Sequence, residues 1–230
     1  MARIFAIGDI HGCSNTFKRL LLDKIKIRKS DIIYCLGDYI DRGIDSKGVI
    51  DFILELRAEG YTIYTLRGNH EQMMLDAPIS KEKWNHWIKN GGTETLMSFN
   101  ITTLEELPSK YLEFLESTDL YIETIEYIFV HAGLNFKIEN PFADKVAMLW
   151  SRDDYMDTAK INNKTIIHGH TPVSIVKIQN QPNKNNINID GGCVFKTNKD
   201  FGYLVALSLT DCRFFCLRNS ELPDIDNQQS

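Results

Sequence analysis

The sequence predicts a mixed α/β fold, with two mixed β-sheets packed face to face and helices outside them. Short β-branched and aromatic runs recur along the chain, and five of them stop abruptly in Gly, Asp, Asn or His. Helical patterns separate the first three runs, as parallel βαβ units require. After residue 120 strand-like runs follow one another closely, so a mostly antiparallel second half is expected.

The first run, from Arg3, ends in Gly8-Asp9-Ile10-His11-Gly12. Ser14 or Asn15 can cap the next helix, which carries Phe17, Leu20, Leu21 and Ile25 on one face. The second run, Asp31 to Leu36, ends in Gly37-Asp38. A helix follows with Ser46 as its expected cap, Val49, Phe52, Ile53 and Leu56 inward, and Gly60 as its stop. The third run, from Tyr61, ends in Gly68-Asn69-His70-Glu71.

From Glu71 to Ser117 the pattern is helical. Trp84, Trp87 and Ile88 keep helical spacing and read as core, and Gly91-Gly92 ends that segment. Thr103 to Glu106 fits a capping box. Leu120–Glu123 and Tyr127–Val130 read as a hairpin, the latter ending at His131-Ala132-Gly133. Thr165-Ile166-Ile167 ends in His168-Gly169-His170-Thr171-Pro172. Val173–Gln179 with Ile187–Asp190 reads as another hairpin, and Phe201–Leu209 with Cys212–Leu217 as a third. Residues 1–218 read as one domain, and 219–230 as a polar, disordered tail.

Composition narrows the function. Hydrophobic residues make up 43% and charged residues 25%, as in an ordinary globular domain. A net charge of -5 argues against a broad nucleic-acid surface. No apolar stretch reaches membrane-spanning length. The first apolar run stops at Asp9, so it reads as a strand and not as a signal peptide. Five cysteines at irregular spacing read as reduced thiols in a cytoplasmic protein.

Five of the six histidines sit in the strand-end clusters. In α/β sheets ligands bind beyond the carboxyl ends of strands, where loops converge. Asp9, His11, Asp38, Asn69, His131 and one or both of His168 and His170 therefore form a candidate metal site. Oxygen and imidazole donors without thiolate suit Mn, Fe, Zn or Co. That many donors fit two ions sharing a carboxylate, about 3.5–4 Å apart.

These clusters, with Asp41-Arg42-Gly43, Asn90 to Leu96, Leu149-Trp150-Ser151-Arg152 and Ile189 to Phe195, resemble the calcineurin-like metallophosphoesterases. The Asp41-Arg42-Gly43 extension resembles their phosphoprotein phosphatase branch, and the later motifs resemble its small bacterial serine/threonine phosphatases. The resemblance implies a four-layer α-β-β-α sandwich. It implies one ion on Asp9, His11 and Asp38, and another on Asp38, Asn69, His131 and His170, with Mn first and Fe, Zn or Mg as alternatives. His168 reads as outer support, a substrate contact or an added ligand. Asp190 reads equally as support for a histidine ligand or as a turn residue.

The implied reaction is attack on phosphorus by a hydroxide bridging the ions. Arg42 and Arg152 would clamp the phosphate, with Asn69 as a further contact. His70 would protonate the leaving oxygen, and Asp41 would orient it and favour the imidazolium. Glu71 reads as structural, and Arg67 as part of a structural ion pair. The expected partner is a phosphoprotein or a phosphorylated small molecule. Serine/threonine protein phosphatase is the first reading, and symmetrical bis(5'-nucleosyl)-tetraphosphate hydrolase the alternative.

Overall fold

The computed structural model describes residues 2–181, 185–196 and 199–221. Its strands are β1 (Ile4–Ile7), β2 (Ile32–Cys35), β3 (Thr62–Thr65), β4 (Tyr121–Glu123), β5 (Tyr127–Val130), β6 (Thr165–His168), β7 (Asn186–Asn188), β8 (Tyr203–Ser208) and β9 (Arg213–Arg218). Its α-helices are α1 (Ser14–Arg19), α2 (Ser46–Ala58), α3 (Asn69–Asp76), α4 (Lys81–Trp87), α5 (Thr93–Phe99), α6 (Ser109–Glu116), α7 (Lys145–Trp150) and α8 (Ile175–Gln179).

One sheet has the order β3-β2-β1-β8-β9 and the other β4-β5-β6-β7. Strand alternation explains why they pack together, since successive side chains point to opposite faces. Phe5, Ile7, Ile33 and Cys35 join the core under the helices of the first half. Ala6, Tyr34 and Leu36 face the other way and meet Phe129, Ile167 and Ile187 of the second sheet. Tyr34 stacks on Phe129 across that seam at 4.0 Å between ring centroids. Ile128, Val130 and Ile166 form the outer core with Phe136 and Met148. The layers are therefore helix, sheet, sheet, helix, as expected.

The first half matches its reading closely. β1, β2 and β3 pair in parallel, and Gly60 stops α2 with φ of 91°. Asp45 rather than Ser46 caps α2, accepting from the Gly48 N–H at 2.8 Å. The Ser46 hydroxyl instead accepts from the Asp41 N–H at 3.1 Å.

The second half departs from its reading. Val173–Gln179 is not a strand: Ser174 caps α8, and Ile178 is buried. β7 then pairs with β6 in parallel, as β6 does with β5. The β-branched composition favoured a strand, but the cap and the burial of Ile178 favour a short helix. Among the described residues, the hairpins are β4–β5 and β8–β9, and β8 returns antiparallel against β1.

The first tail residues are also tied down. Neither Ser14 nor Asn15 caps α1. The Thr16 N–H donates instead to a Glu221 carboxylate oxygen at 2.6 Å, and the Ser220 N–H donates to Thr16 Oγ1 at 2.9 Å. Residues 222–230 lie outside the described residues.

Candidate metal centre

The carboxyl ends of β1, β2, β5 and β6 and the start of α3 bring the candidate ligands together. Asp9 and His11 follow β1, Asp38 follows β2, and Asn69 opens α3. His131 follows β5 and His170 follows β6. All six are buried, with at most 8% of any one exposed. Ligand atoms of Asp9, Asp38 and His131 lie within 4.8 Å of one another, and so do those of His11, Asp38 and His70.

The loops reach this geometry through unusual backbone. His11, Asp38, Asp41, Arg42 and His170 all have φ between 47° and 71°. This left-handed region is uncommon for residues with a Cβ and costs free energy. Adjacent glycines make room: a Cβ at Gly169 would collide with Asp9 Oδ1, and one at Gly43 with His11 O. Glu71 holds the second loop. Its carboxylate accepts N–H bonds from Gly68, Asp38 and Tyr39, each at 2.8 Å. It serves the structure, as read. Arg67 differs in detail: it donates to Glu116 O, Thr118 and Gln72, with no ion pair among the described residues.

The protonation pattern tests whether cations fit. His11 Nδ1 donates to Ile40 O and His131 Nδ1 to Leu36 O, each at 2.9 Å. A carbonyl only accepts, so the Nε2 lone pairs of these neutral rings point into the site. His11 Nε2 lies 3.3 Å from Asp38 Oδ2, and His131 Nε2 lies 3.5 Å from Asp38 Oδ1. His131 Nε2 also meets Asn69 Oδ1 at 2.9 Å. Acceptors thus face acceptors, although His11 Nε2 also accepts from Arg42 Nη1 at 2.9 Å. Among the described residues, Asp9 Oδ1 and His170 Nε2 are buried with no hydrogen-bond partner.

Electrostatics agree. Burial, then the charges of Asp190 and Asp38, push the Asp9 carboxyl well above its ordinary value. Burial pushes Asp38 up to about 7 and His131 down to about 4. His170 falls to about 3 through burial and the nearby His131. Uncompensated buried acceptors of this kind are stabilised by divalent cations. The donor set therefore fits the expected metals.

His70 and Asp41 form a second unit. His70 Nδ1 donates to Asp41 Oδ2 at 2.7 Å. Asp41 also accepts from Thr95 Oγ1 at 2.6 Å and from Trp87 Nε1 at 3.1 Å. Trp87 is core, as read, but its indole N–H has this further job. Sequence reasoning missed it, and gave Thr95 no role although it lies in a quoted motif. Burial, then His11 and Arg42, push His70 well below its ordinary value.

The remaining residues sit at the rim. Arg42 and Arg152 are exposed. Arg42 Nη1 donates to His11 Nε2 at 2.9 Å. Arg152 lines a cavity of about 260 Å³ together with His168, whose Nδ1 donates to Gly169 O at 3.2 Å. Neither His168 nor His170 belongs to either of the two groups of three close ligand atoms. Asp190 is buried beside Asp9 and accepts from the Gly192 N–H at 2.8 Å. It borders a carboxylate neighbour and closes a turn.

Comparisons with known proteins place this geometry. The chain is 37% identical over 89 residues to serine/threonine-protein phosphatase 1 of Salmonella typhimurium, covering 39% of this chain and 38% of that one. It is 44% identical over 82 residues to a symmetrical bis(5'-nucleosyl)-tetraphosphatase of Wigglesworthia glossinidia brevipalpis, covering 34% and 29%. The chain thus spans well under half the length of these two relatives. It is 27% identical over 219 residues to the asymmetrical bis(5'-nucleosyl)-tetraphosphatase PrpE of Oceanobacillus iheyensis, covering 84% and 85%. A serine/threonine phosphatase structure from Saccharomyces cerevisiae shares the fold, with a TM-score of 0.55, 17% identity and coverage of 97% and 82%. The family description calcineurin-like phosphoesterase matches residues 2–219, and the chain belongs to that family.

Proposed function

We propose that this chain hydrolyses phosphate esters or anhydrides at a centre of two divalent ions. Asp9, His11 and Asp38 would hold one, and Asp38, Asn69, His131 and His170 the other, with manganese the first choice. The placement of Asp38 carries the reading. Each of its oxygens faces the lone pair of a different neutral imidazole, His11 at 3.3 Å and His131 at 3.5 Å, as a bridging carboxylate should. When bound, the ions lower the pKa of water and draw charge from the phosphate.

The chain's own residues do the rest. Arg42 lies against His11 and can turn its planar guanidinium to phosphate oxygens, while Arg152 approaches from the His168 side. Asn69 offers a further contact. His70 is the candidate proton donor to the leaving oxygen. Its Nδ1 is fixed by Asp41, which leaves Nε2 toward the site. Burial lowers the ring's proton affinity, and an arriving phosphate dianion supplies charge that draws a proton onto it.

Phosphoserine and phosphothreonine proteins are the first substrate reading, supported by the resemblance of the motifs to that phosphatase branch. Dinucleoside tetraphosphates are the second, and one observation favours them: a groove lined by Trp150, His86, Lys81 and Lys89, with Asp76 and Glu82, meets the centre where Trp150 stands against His170. The reduced-thiol reading of the cysteines supports a cytoplasmic setting. No helix among the described residues is long and apolar enough to cross a membrane. The test is turnover of manganese-loaded protein on a phosphoserine peptide and on diadenosine tetraphosphate, side by side. Turnover of neither, with both ions bound, removes the hydrolase reading.

A further inference from the structure

We infer that Thr95 and Trp87 are positioning residues for proton transfer: they fix the Asp41 carboxylate, which in turn aims the His70 ring at the leaving oxygen. The inference rests on His70 as proton donor, as proposed above. It gives a task to the motif from Asn90 to Leu96.

Asp41 needs holding on every side. Its φ of 71° lies in the left-handed region, which costs free energy for a residue with a Cβ. It is fully buried, so its carboxylate oxygens and its N–H all need partners. His70 takes one side of Oδ2, at 2.7 Å. The other side belongs to the two positioning residues. Trp87 Nε1 donates between both oxygens, 3.1 Å from each, and Thr95 Oγ1 donates to Oδ1 at 2.6 Å. Thr95 Oγ1 also accepts from the Asp41 N–H at 2.9 Å, so one hydroxyl clasps main chain and side chain of the same residue. A hydroxyl has a single hydrogen, and the carboxylate takes it. Ser46 Oγ, 3.1 Å from Thr95 Oγ1, therefore donates to Thr95. Burial pushes the Asp41 carboxyl well above its ordinary value, and the bonds from Thr95 and Trp87 oppose that push.

The fold delivers both donors from one segment. Trp87 ends α4, Thr95 lies in the first turn of α5, and Gly91 and Gly92 lie between them. A Cβ at Gly92 would meet the Trp87 ring at 2.6 Å, and one at Gly91 would collide with Arg42 N at 2.5 Å. Gly91 O accepts from the Arg42 N–H at 3.2 Å. The glycine pair therefore lets one turn press on Trp87 and Arg42 together. The segment grips two consecutive residues, the partner of the proton donor and the arginine of the phosphate clamp. A role in stability alone predicts equal loss on every substrate. Positioning predicts loss only where the leaving oxygen needs a proton.

The test uses Thr95→Val, which keeps the shape and removes the hydroxyl, with Thr95→Ser as the conservative variant. In manganese-loaded protein, Thr95→Val should lower kcat for an alkyl phosphate about tenfold, the scale of one lost bond to a charged group, with KM unchanged. Turnover of p-nitrophenyl phosphate should hold, and Thr95→Ser should restore the alkyl rate. In metal-free protein, NMR should show the His70 ring N–H proton exchanging with water about tenfold faster in Thr95→Val than in wild type. Equal losses on both substrates, no rescue by serine, or unchanged N–H exchange would each overturn the inference. Trp87→Phe removes the other donor and should give the same pattern if Thr95→Val does not fold. His70→Asn is run alongside. If it leaves the alkyl rate intact, the proton-donor reading falls, while the N–H exchange still decides whether Thr95 and Trp87 hold the Asp41–His70 pair.

Discussion

The floor of the site and its rim are built on opposite principles. The floor residues Asp9, His11, Asp38, Asn69, His131 and His170 are buried, His170 is bonded to both Asp9 and Asn69, and three of the six have left-handed backbone. The rim residues Arg42, Arg152, Trp150, His86 and Lys89 are exposed, and few of their contacts fix them. On the proposed reading, the floor would hold its geometry whatever the substrate, and the rim would set which phosphate compound enters. If so, reaction and specificity reside in different parts of the molecule, and substitutions should separate them.

The largest effect is expected at the centre of the floor. Asp38→Asn removes the carboxylate that faces both His11 and His131. Ion binding supplies several kcal/mol of transition-state stabilisation, so turnover should fall by about 10³-fold or more. Metal content by atomic emission should fall with it. Full metal content in that variant would contradict the bridging role.

Next comes His70, which lies within ligand reach of His11 and Asp38, so proximity alone does not separate acid from ligand. His70→Asn should lower turnover of an alkyl phosphate by about 10²-fold while metal content stays near wild type. The loss should be much smaller on p-nitrophenyl phosphate, whose leaving group needs no proton. Metal lost in parallel would make His70 a ligand and part of the floor proper.

The same division explains what could be read from the sequence. Floor residues stand out because strand ends such as Gly8-Asp9 and Gly169-His170 place a glycine beside each donor, and local chemistry leaves a local signature. The first three strands were legible for the same reason. α8 was not, since the burial of Ile178 decides it and burial is a property of the whole fold. The groove was illegible too. His86 and Trp150 are 64 positions apart, and no spacing rule brings a tryptophan before Ser151-Arg152 against a helix of the first half. Trp87 was read as core, correctly, but its bond to Asp41 depends on the turn of the Asp41 loop.

At the rim a smaller effect is expected. Arg42→Ala removes a guanidinium that touches the floor only through His11. Inhibition by inorganic phosphate should weaken by about tenfold, one lost charge-assisted pair. Metal content should hold. Unchanged inhibition would take Arg42 out of the phosphate clamp.

The smallest effect on activity should come from a tight contact at the other end of the same strands. Arg3 donates to both oxygens of the buried Asp31 carboxylate, at 3.1 and 2.6 Å. Burial alone would raise that carboxyl, but Arg3 and the Arg28 N–H outweigh it and hold it below the ordinary carboxylate value. A folded-state value below the unfolded one, about 3.9, gives stability that is present above that pH. It is lost as pH falls through the folded value. Asp31→Asn should therefore cost roughly 1–2 kcal/mol at pH 7, or about 2–8 °C in Tm. The gap to wild type should narrow in melts taken below about pH 4, where wild type loses the charge as well. Turnover at neutral pH should match wild type. A gap that widens on acidification would reverse the sign assigned to Asp31. A loss of turnover would show that order at the amino ends of β1 and β2 is transmitted to the floor, so tight packing at either end would bear on the chemistry.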